Sequence, residues 1–285
     1  MGCTGNANSE KNYIIAEAII RENNEDDEQE YQIINSYEQM ERDGQLDQIK
    51  GDEELDKQRL ENNNEKEIKT TKIKINDEEI PFSYTYAFKK PGKYTIKYIF
   101  PQLLTRIDYM FYRCTVLNKI DFTNFNAKLV TNMEELFNNS YAETINLSNI
   151  NTKNVTNLKA MFCDCMNLTN LNMSNFDTRN VTNMDRMFLR CEALKTLDLS
   201  SFKTEKVTSM TGMFEGCEDL ANLNISGFKI KDKENIIAIF SGCPNLKKNN
   251  IIANDPKIFE EFDRQREKED EEGEGEEEGY PEAVE

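Results

Sequence analysis

The chain has 285 residues, with 53 Asp and Glu against 35 Lys and Arg, a formal net charge of −18, and neither histidine nor tryptophan. Such acidity excludes general nucleic-acid binding, which rests on a basic surface that neutralises phosphates. Without histidine there is no Ser-His or Cys-His nucleophile activation and no imidazole metal site, so the sequence predicts a protein that is not an enzyme and carries no cofactor.

The N-terminus reads Met1-Gly2-Cys3-Thr4-Gly5-Asn6. No signal-type apolar run comes after it, and no apolar stretch is long enough for a membrane-spanning helix. Met-Gly-Cys resembles the start of dually acylated eukaryotic proteins, with Gly2 myristoylated and Cys3 palmitoylated, although Asn6 stands where Ser or Thr is preferred. One myristoyl chain binds membranes only marginally, at about 10⁴ M⁻¹, so a second signal is required. Residues 1–65 hold six basic residues against 18 acidic ones, which leaves Cys3 as the second signal within that segment. The same composition predicts a largely disordered tether with weak amphipathic helices at Tyr13 to Ile20 and Tyr31 to Met40.

Residues 66–101 contain three runs rich in Ile, Thr, Tyr and Phe, Ile68 to Ile75, Ile80 to Phe88 and Lys93 to Phe100, separated by Asn76-Asp77 and Pro91-Gly92. These read as strands with turns, forming an N-terminal cap over the next segment. That segment, residues 102–254, is repetitive. Phe111, Phe137, Phe162, Phe188, Phe214 and Phe240 recur at spacings of 26, 25, 26, 26 and 26 residues. A fixed period in this range marks a repeat architecture whose units bury a core only by stacking. Within one unit, Leu171 and Met173 alternate with Asn172 and Ser174 as in a short strand. Thr182 and Asp185, or Thr131 and Glu134, then suggest a capping box that opens a helical turn carrying Met184, Met187 and Phe188 inward. Residues 255–285 hold 15 acidic residues against four basic ones. Such a run predicts a disordered tail, with at most a short helix near Ile258 to Arg266.

The pattern MFxxCxxLxxLxLSxFxTxxVTxM, carried by about Met110 to Leu246, resembles the BspA-like leucine-rich repeats, the 26-residue surface-protein repeat. The second copy departs from it, with Ser140 in the Cys position and one residue missing before Ile145. The resemblance implies an α/β repeat fold: a leucine-rich-repeat solenoid of five to six units with an N-terminal β cap and disordered acidic termini. It also implies a binding role. Bacterial relatives are exported adhesins, which keeps a surface-exposed structural protein as the alternative to an intracellular, membrane-tethered scaffold.

Asp121, Asn146, Asn172, Asp198 and Asn224 share one outward repeat position and form a candidate protein-binding column. Thr123, Ser148, Ser174, Ser200 and Ser226 come two residues later, and residues of either column suit hydrogen bonding to neighbouring backbone. Lys119, Asn170, Thr196 and Asn222 vary between repeats and are better placed to discriminate a partner. Cys114, Cys165, Cys191, Cys217 and Cys243 share a position beside the inward Phe. A zinc column or inter-repeat disulfides are conceivable there, but no paired CxxC motif occurs and a ladder of small buried thiols is the simplest account. The partner expected is a protein, with the membrane reached through lipid and no small-molecule substrate.

Overall fold

The computed structural model describes residues 12–22, 29–44 and 63–277. The first segment is not a helix. β1 (Tyr13–Ile20) buries Ile14, Ala16, Ala18 and Ile20 on one face, the period of a strand. It lies between β6 (Gly92–Ile99) and β7 (Leu117–Asp121), antiparallel to both. Both neighbours present open backbone edges there, and the eight-residue Ile-rich run satisfies them, which a helix cannot do. The second expected helix is also shorter than predicted. β2 (Glu30–Gln32) pairs with β5 (Thr85–Ala87), and only α1 (Tyr37–Arg42) is helical, with Ser36 Oγ accepting the Gln39 N–H at 3.2 Å. Residues assigned by composition to a disordered tether thus belong to the cap.

Of the predicted strand runs in the rest of the cap, Lys93 to Phe100 coincides with β6, Ile68 to Ile75 is strand only from Lys72, and Ile80 to Phe88 is not one strand, being extended only at Ile80 and over Thr85–Ala87. α2 (Glu65–Ile68) precedes the hairpin of β3 (Lys72–Ile75) and β4 (Glu78–Ile80), whose turn holds Asn76 and Asp77 at φ of 49° and 69°, the left-handed pair that a two-residue hairpin turn requires. The six-stranded sheet runs β4-β3-β6-β1-β7-β8, where β8 (Thr144–Asn146) pairs parallel to β7. A separate three-stranded sheet orders β11 (Ile251–Ile252), β10 (Asn222–Asn224) and β9 (Thr196–Asp198). At Asn170 only an isolated bridge to Thr144 is made.

The segments expected to be helical turns are not helices. Met187, Leu189 and Cys191 donate to carbonyls three residues back, while the intervening Arg186, Phe188 and Arg190 donate to Thr211, Met213 and Glu215 of the next repeat. Alternate donors thus point out of the segment, and an α-helix would withdraw them. Two positions per unit take left-handed backbone to achieve this. Tyr109, Glu135, Ala160, Arg186, Gly212 and Ala238 form one such column at φ of 51–60°, and Arg113, Asn139, Asp164 and Arg190 belong to a second at 54–57°. Each non-glycine residue there opposes a local cost of about 1–2 kcal/mol, which the cross-repeat hydrogen bonds offset. The predicted capping boxes are absent for the same reason: Thr182 Oγ1 donates to Thr156 O at 3.2 Å, and Asp185 Oδ1 accepts from the Thr211 N–H at 2.9 Å. The expected α/β leucine-rich-repeat solenoid is therefore corrected. The described chain is mostly strand and turn in three sheets, and its few α-helices lie outside the repeated units.

One apolar cluster runs from Ile14 to Phe262. Phe111, Phe137, Phe162, Phe188, Phe214 and Phe240 stack nearly parallel, with centroid separations of 5.9, 5.4, 5.5, 5.8 and 6.1 Å. The expected disordered acidic tail is also corrected over its described part. α3 (Pro256–Glu277) buries Ile258 and Phe262, the latter edge-on to Phe240 at 5.7 Å. Gln265 Oε1 accepts the Phe240 N–H at 2.8 Å and Glu269 Oε1 accepts the Gly242 N–H at 2.9 Å. These two side chains stand in for the carbonyls that a further repeat would offer, which is why so acidic a segment orders against the last unit.

Candidate functional site

The outward strand positions form two polar columns of different character. Asp121, Asn146, Asn172 and Asp198 are exposed and Asn224 is half-buried, and all five bond to local backbone. Asp121 Oδ1 accepts the Thr123 N–H at 2.7 Å, Asn146 that of Ser148 at 3.1 Å, Asn172 that of Ser174 at 3.0 Å, Asp198 that of Ser200 at 2.8 Å and Asn224 that of Ser226 at 3.2 Å. Each closes the turn after its strand position. Cross-repeat bonds add to this, from Asn146 Nδ2 to Asp121 Oδ1 at 3.2 Å and from Asn224 Nδ2 to Asp198 Oδ2 at 3.3 Å. The hydrogen bonds from Ser200 hold the Asp198 carboxyl below its ordinary range. This column is tied into the fold, although its outer atoms still face solvent.

The second column is free except at Lys119. Asn170, Thr196 and Asn222 are exposed, and their side chains make no hydrogen bond among the described residues. Thr196 and Asn222 face each other in parallel register, Thr144 bridges to Asn170, and Lys119 pairs with Thr144 on the other side. Paired strands lie about 4.8 Å apart, so Thr144–Asn170 and Thr196–Asn222 are two adjacent polar pairs, while Lys119 is ion-paired with Glu17 at 3.8 Å. Gly2 and Cys3, the expected acylation sites, lie outside the described residues.

The six described cysteines are free and buried. Cys165, Cys191, Cys217 and Cys243 donate to the carbonyls of Phe137, Phe162, Phe188 and Phe214 at 3.2, 3.1, 3.0 and 2.9 Å. Burial pushes all these thiols up, Cys243 to about 12, so each stays protonated and donates its hydrogen to the preceding unit. Among the described residues no group of three or more Cys, Asp or Glu is placed to hold a metal ion.

Sequence reasoning missed a second ladder. Thr152, Thr178 and Thr204 are buried, and their hydroxyls accept the N–H of Asp177, Lys203 and Lys229, each at 2.7 Å. The hydroxyls donate in return to the carbonyls of the same three residues at 3.3, 3.0 and 3.0 Å. The recurring Phe-x-Thr of the repeat pattern was the available signal. An open cavity of about 750 Å³ also lies where the cap meets the first repeats, lined by Tyr13, Lys97, Asn124, Asn126, Asn149 and Asn151 among others. Lys97 Nζ sits 4.0 Å from the Tyr13 ring centre.

Among the described residues, no helix is long and apolar enough to cross a membrane. No curated protein and no solved structure matches the chain. The family comparison corrects the resemblance drawn from the repeat pattern, because the matching model is not that of the BspA-like leucine-rich repeats. Matched over residues 62–162 and 139–254, more than half of its length, the chain belongs to the family described as Mycoplasma protein of unknown function, DUF285.

Proposed function

We propose that this protein is a non-catalytic interaction scaffold. It presents the outward strand positions to a protein partner and is held at the cytosolic face of a membrane by acylation of Gly2 and Cys3. The observation that carries the binding part is the set of Asn170, Thr196 and Asn222, exposed and without an intramolecular partner, beside Asp121, Asn146, Asn172, Asp198 and Asn224. Exposed polar groups at strand spacing on a rigid backbone suit recognition of a partner surface with little ordering cost on binding. The repeated unit does not require these residue types, whereas it does require Asn or Asp at the next column to close its turns.

A site-specific photocrosslinker at Asn222 tests this in the native host. One defined adduct is expected, and it should vanish when Asn170, Asn172, Thr196 and Asp198 are changed together to Arg without loss of the folded thermal transition. Adducts that persist in that variant, or that disappear only on deleting residues 1–65 or 255–285, move the binding site to the acidic segments. The tether is tested separately: Gly2→Ala should release the protein from the membrane pellet, and Cys3→Ser should leave only weak, reversible association.

A further inference from the structure

The loops after the Ser-x-Phe positions line up along one edge of the stacked repeats. Thr178 and Thr204 hold the N–H groups of Lys203 and Lys229, while the side chains of Asn154 and Asn180 donate to the carbonyls of Lys128 and Lys153 at 2.8 and 2.9 Å. Successive repeats thereby place Lys128, Lys153, Arg179, Lys203, Lys206 and Lys231 side by side, all exposed. Of the acidic residues beside them, Asp177 pairs with Arg179 at 2.6 Å and Glu205 with Lys229 at 2.9 Å, while the exposed Asp232 next to Lys231 forms no ion pair among the described residues. The five lysines of the row form no ion pair among the described residues. Lys206 Nζ bonds only the neutral Asn180 Oδ1, at 2.8 Å. Composition hides this row, because each repeat contributes one or two cations to a chain whose net charge is −18.

We propose that this lysine edge docks on the anionic headgroups of a lipid bilayer and acts as a further membrane signal beside the acyl tether, so that it rests on the tethered reading of the chain. The position of the N-terminal segment favours a bilayer over other polyanions. Asn12 Oδ1 accepts the Asn126 N–H at 2.8 Å, and Tyr13 lines the cavity with Asn126 and Asn151. Residues 1–11 therefore join the fold at the head of the edge, two residues from Lys128. Eleven residues span at most about 40 Å, so an anchored N-terminus keeps this edge within reach of the leaflet. The overall negative charge does not prevent docking, because charges farther than about 8 Å are largely screened at physiological salt and the headgroups meet the local lysines.

The test separates this edge from the tether by using full-length protein that has never been acylated. It should co-sediment with phosphatidylcholine vesicles containing phosphatidylserine and not with phosphatidylcholine alone, and binding should collapse between about 0.1 M and 1 M salt as the screening length falls to about 3 Å. Lys128→Glu, Lys153→Glu, Lys206→Glu and Lys231→Glu together should weaken binding about tenfold or more, while Lys119→Glu with Lys195→Glu on the strand face should not. If the Glu variant unfolds, the corresponding Lys→Gln set provides the comparison. Absence of binding to anionic vesicles, or equal loss in the strand-face variant, overturns the assignment. So does retention of RNA by the same lysines without vesicle binding, which would make the edge a site for a different polyanion. None of these outcomes bears on Gly2 acylation, whose test is sedimentation of the natively modified chain.

Discussion

Thr178→Val isolates the buried threonine ladder from the apolar stack. Thr178 is 1% exposed; its hydroxyl accepts the Lys203 N–H at 2.7 Å and donates to Lys203 O at 3.0 Å. Valine has nearly the same shape, so no cavity opens, but both bonds are lost. An ordinary hydrogen bond contributes about 1 kcal/mol net, and a buried donor left without an acceptor costs about 1–3 kcal/mol, so a loss of about 2–4 kcal/mol is expected. Thr178→Ser keeps both bonds and removes one methyl group, worth about 1 kcal/mol. Urea unfolding of the three proteins should show the midpoint falling in the order Thr, Ser, Val with unchanged slope, Val lying roughly 1 M below Thr for a slope of about 2–3 kcal/mol/M. Thr204→Val, which removes bonds of the same 2.7 and 3.0 Å lengths, serves as an independent repeat of the measurement. A Val variant as stable as the Ser variant would refute the reasoning and leave inter-repeat cohesion to the phenylalanine and aliphatic columns.

The Glu65 carboxyl loses solvation on burial, yet hydrogen bonds from Arg42, Lys69, Ser36 and Tyr84 outweigh that cost and hold it at about 2. A lowered carboxylate pKa contributes stability above its unfolded value near 4.5 that is lost as pH falls toward 2, here about 3 kcal/mol; denaturant titrations from pH 6 to pH 2 should show wild type losing about that much more than Glu65→Gln. A methyl group at Gly227 would press on the carbonyl oxygens of Phe202 and Ser200, so Gly227→Ala should destabilise by about 1–3 kcal/mol, read as a lowered thermal midpoint, while Ser201→Ala one repeat earlier should change it little. Gln265→Ala leaves the buried Phe240 N–H unpaired and should cost about 1–3 kcal/mol, with hydrogen exchange at Phe240 accelerated before exchange at Phe188. In native protein, Cys165, Cys191 and Cys217 should resist alkylation and react on denaturation, because burial keeps the thiolate form scarce; rapid native labelling at these three positions would contradict the buried column.

Periodicity was enough to show where each unit begins and which side chains turn inward. Phe111 to Phe240, Leu171, Met173 and the cysteine column are all buried, because an apolar group repeated at a fixed period has no low-energy position except against its own copy. The exposure of Asn170, Thr196 and Asn222 was legible by the same alternation. The backbone between those positions depended on packing between units. Met184 to Cys191 has the i, i+3, i+4 spacing of a helical turn, yet its alternate donors reach the next repeat, and nothing within one unit reveals that such acceptors exist. Tyr13–Ile20 became a strand because β6 and β7 left two edges to fill, and Pro256–Glu277 ordered because the last repeat's donors needed Gln265 and Glu269. The lysine edge was invisible to composition for a related reason. Its members come from loops that recur about every 26 residues in sequence and become neighbours only when cross-repeat hydrogen bonds set one loop beside the next.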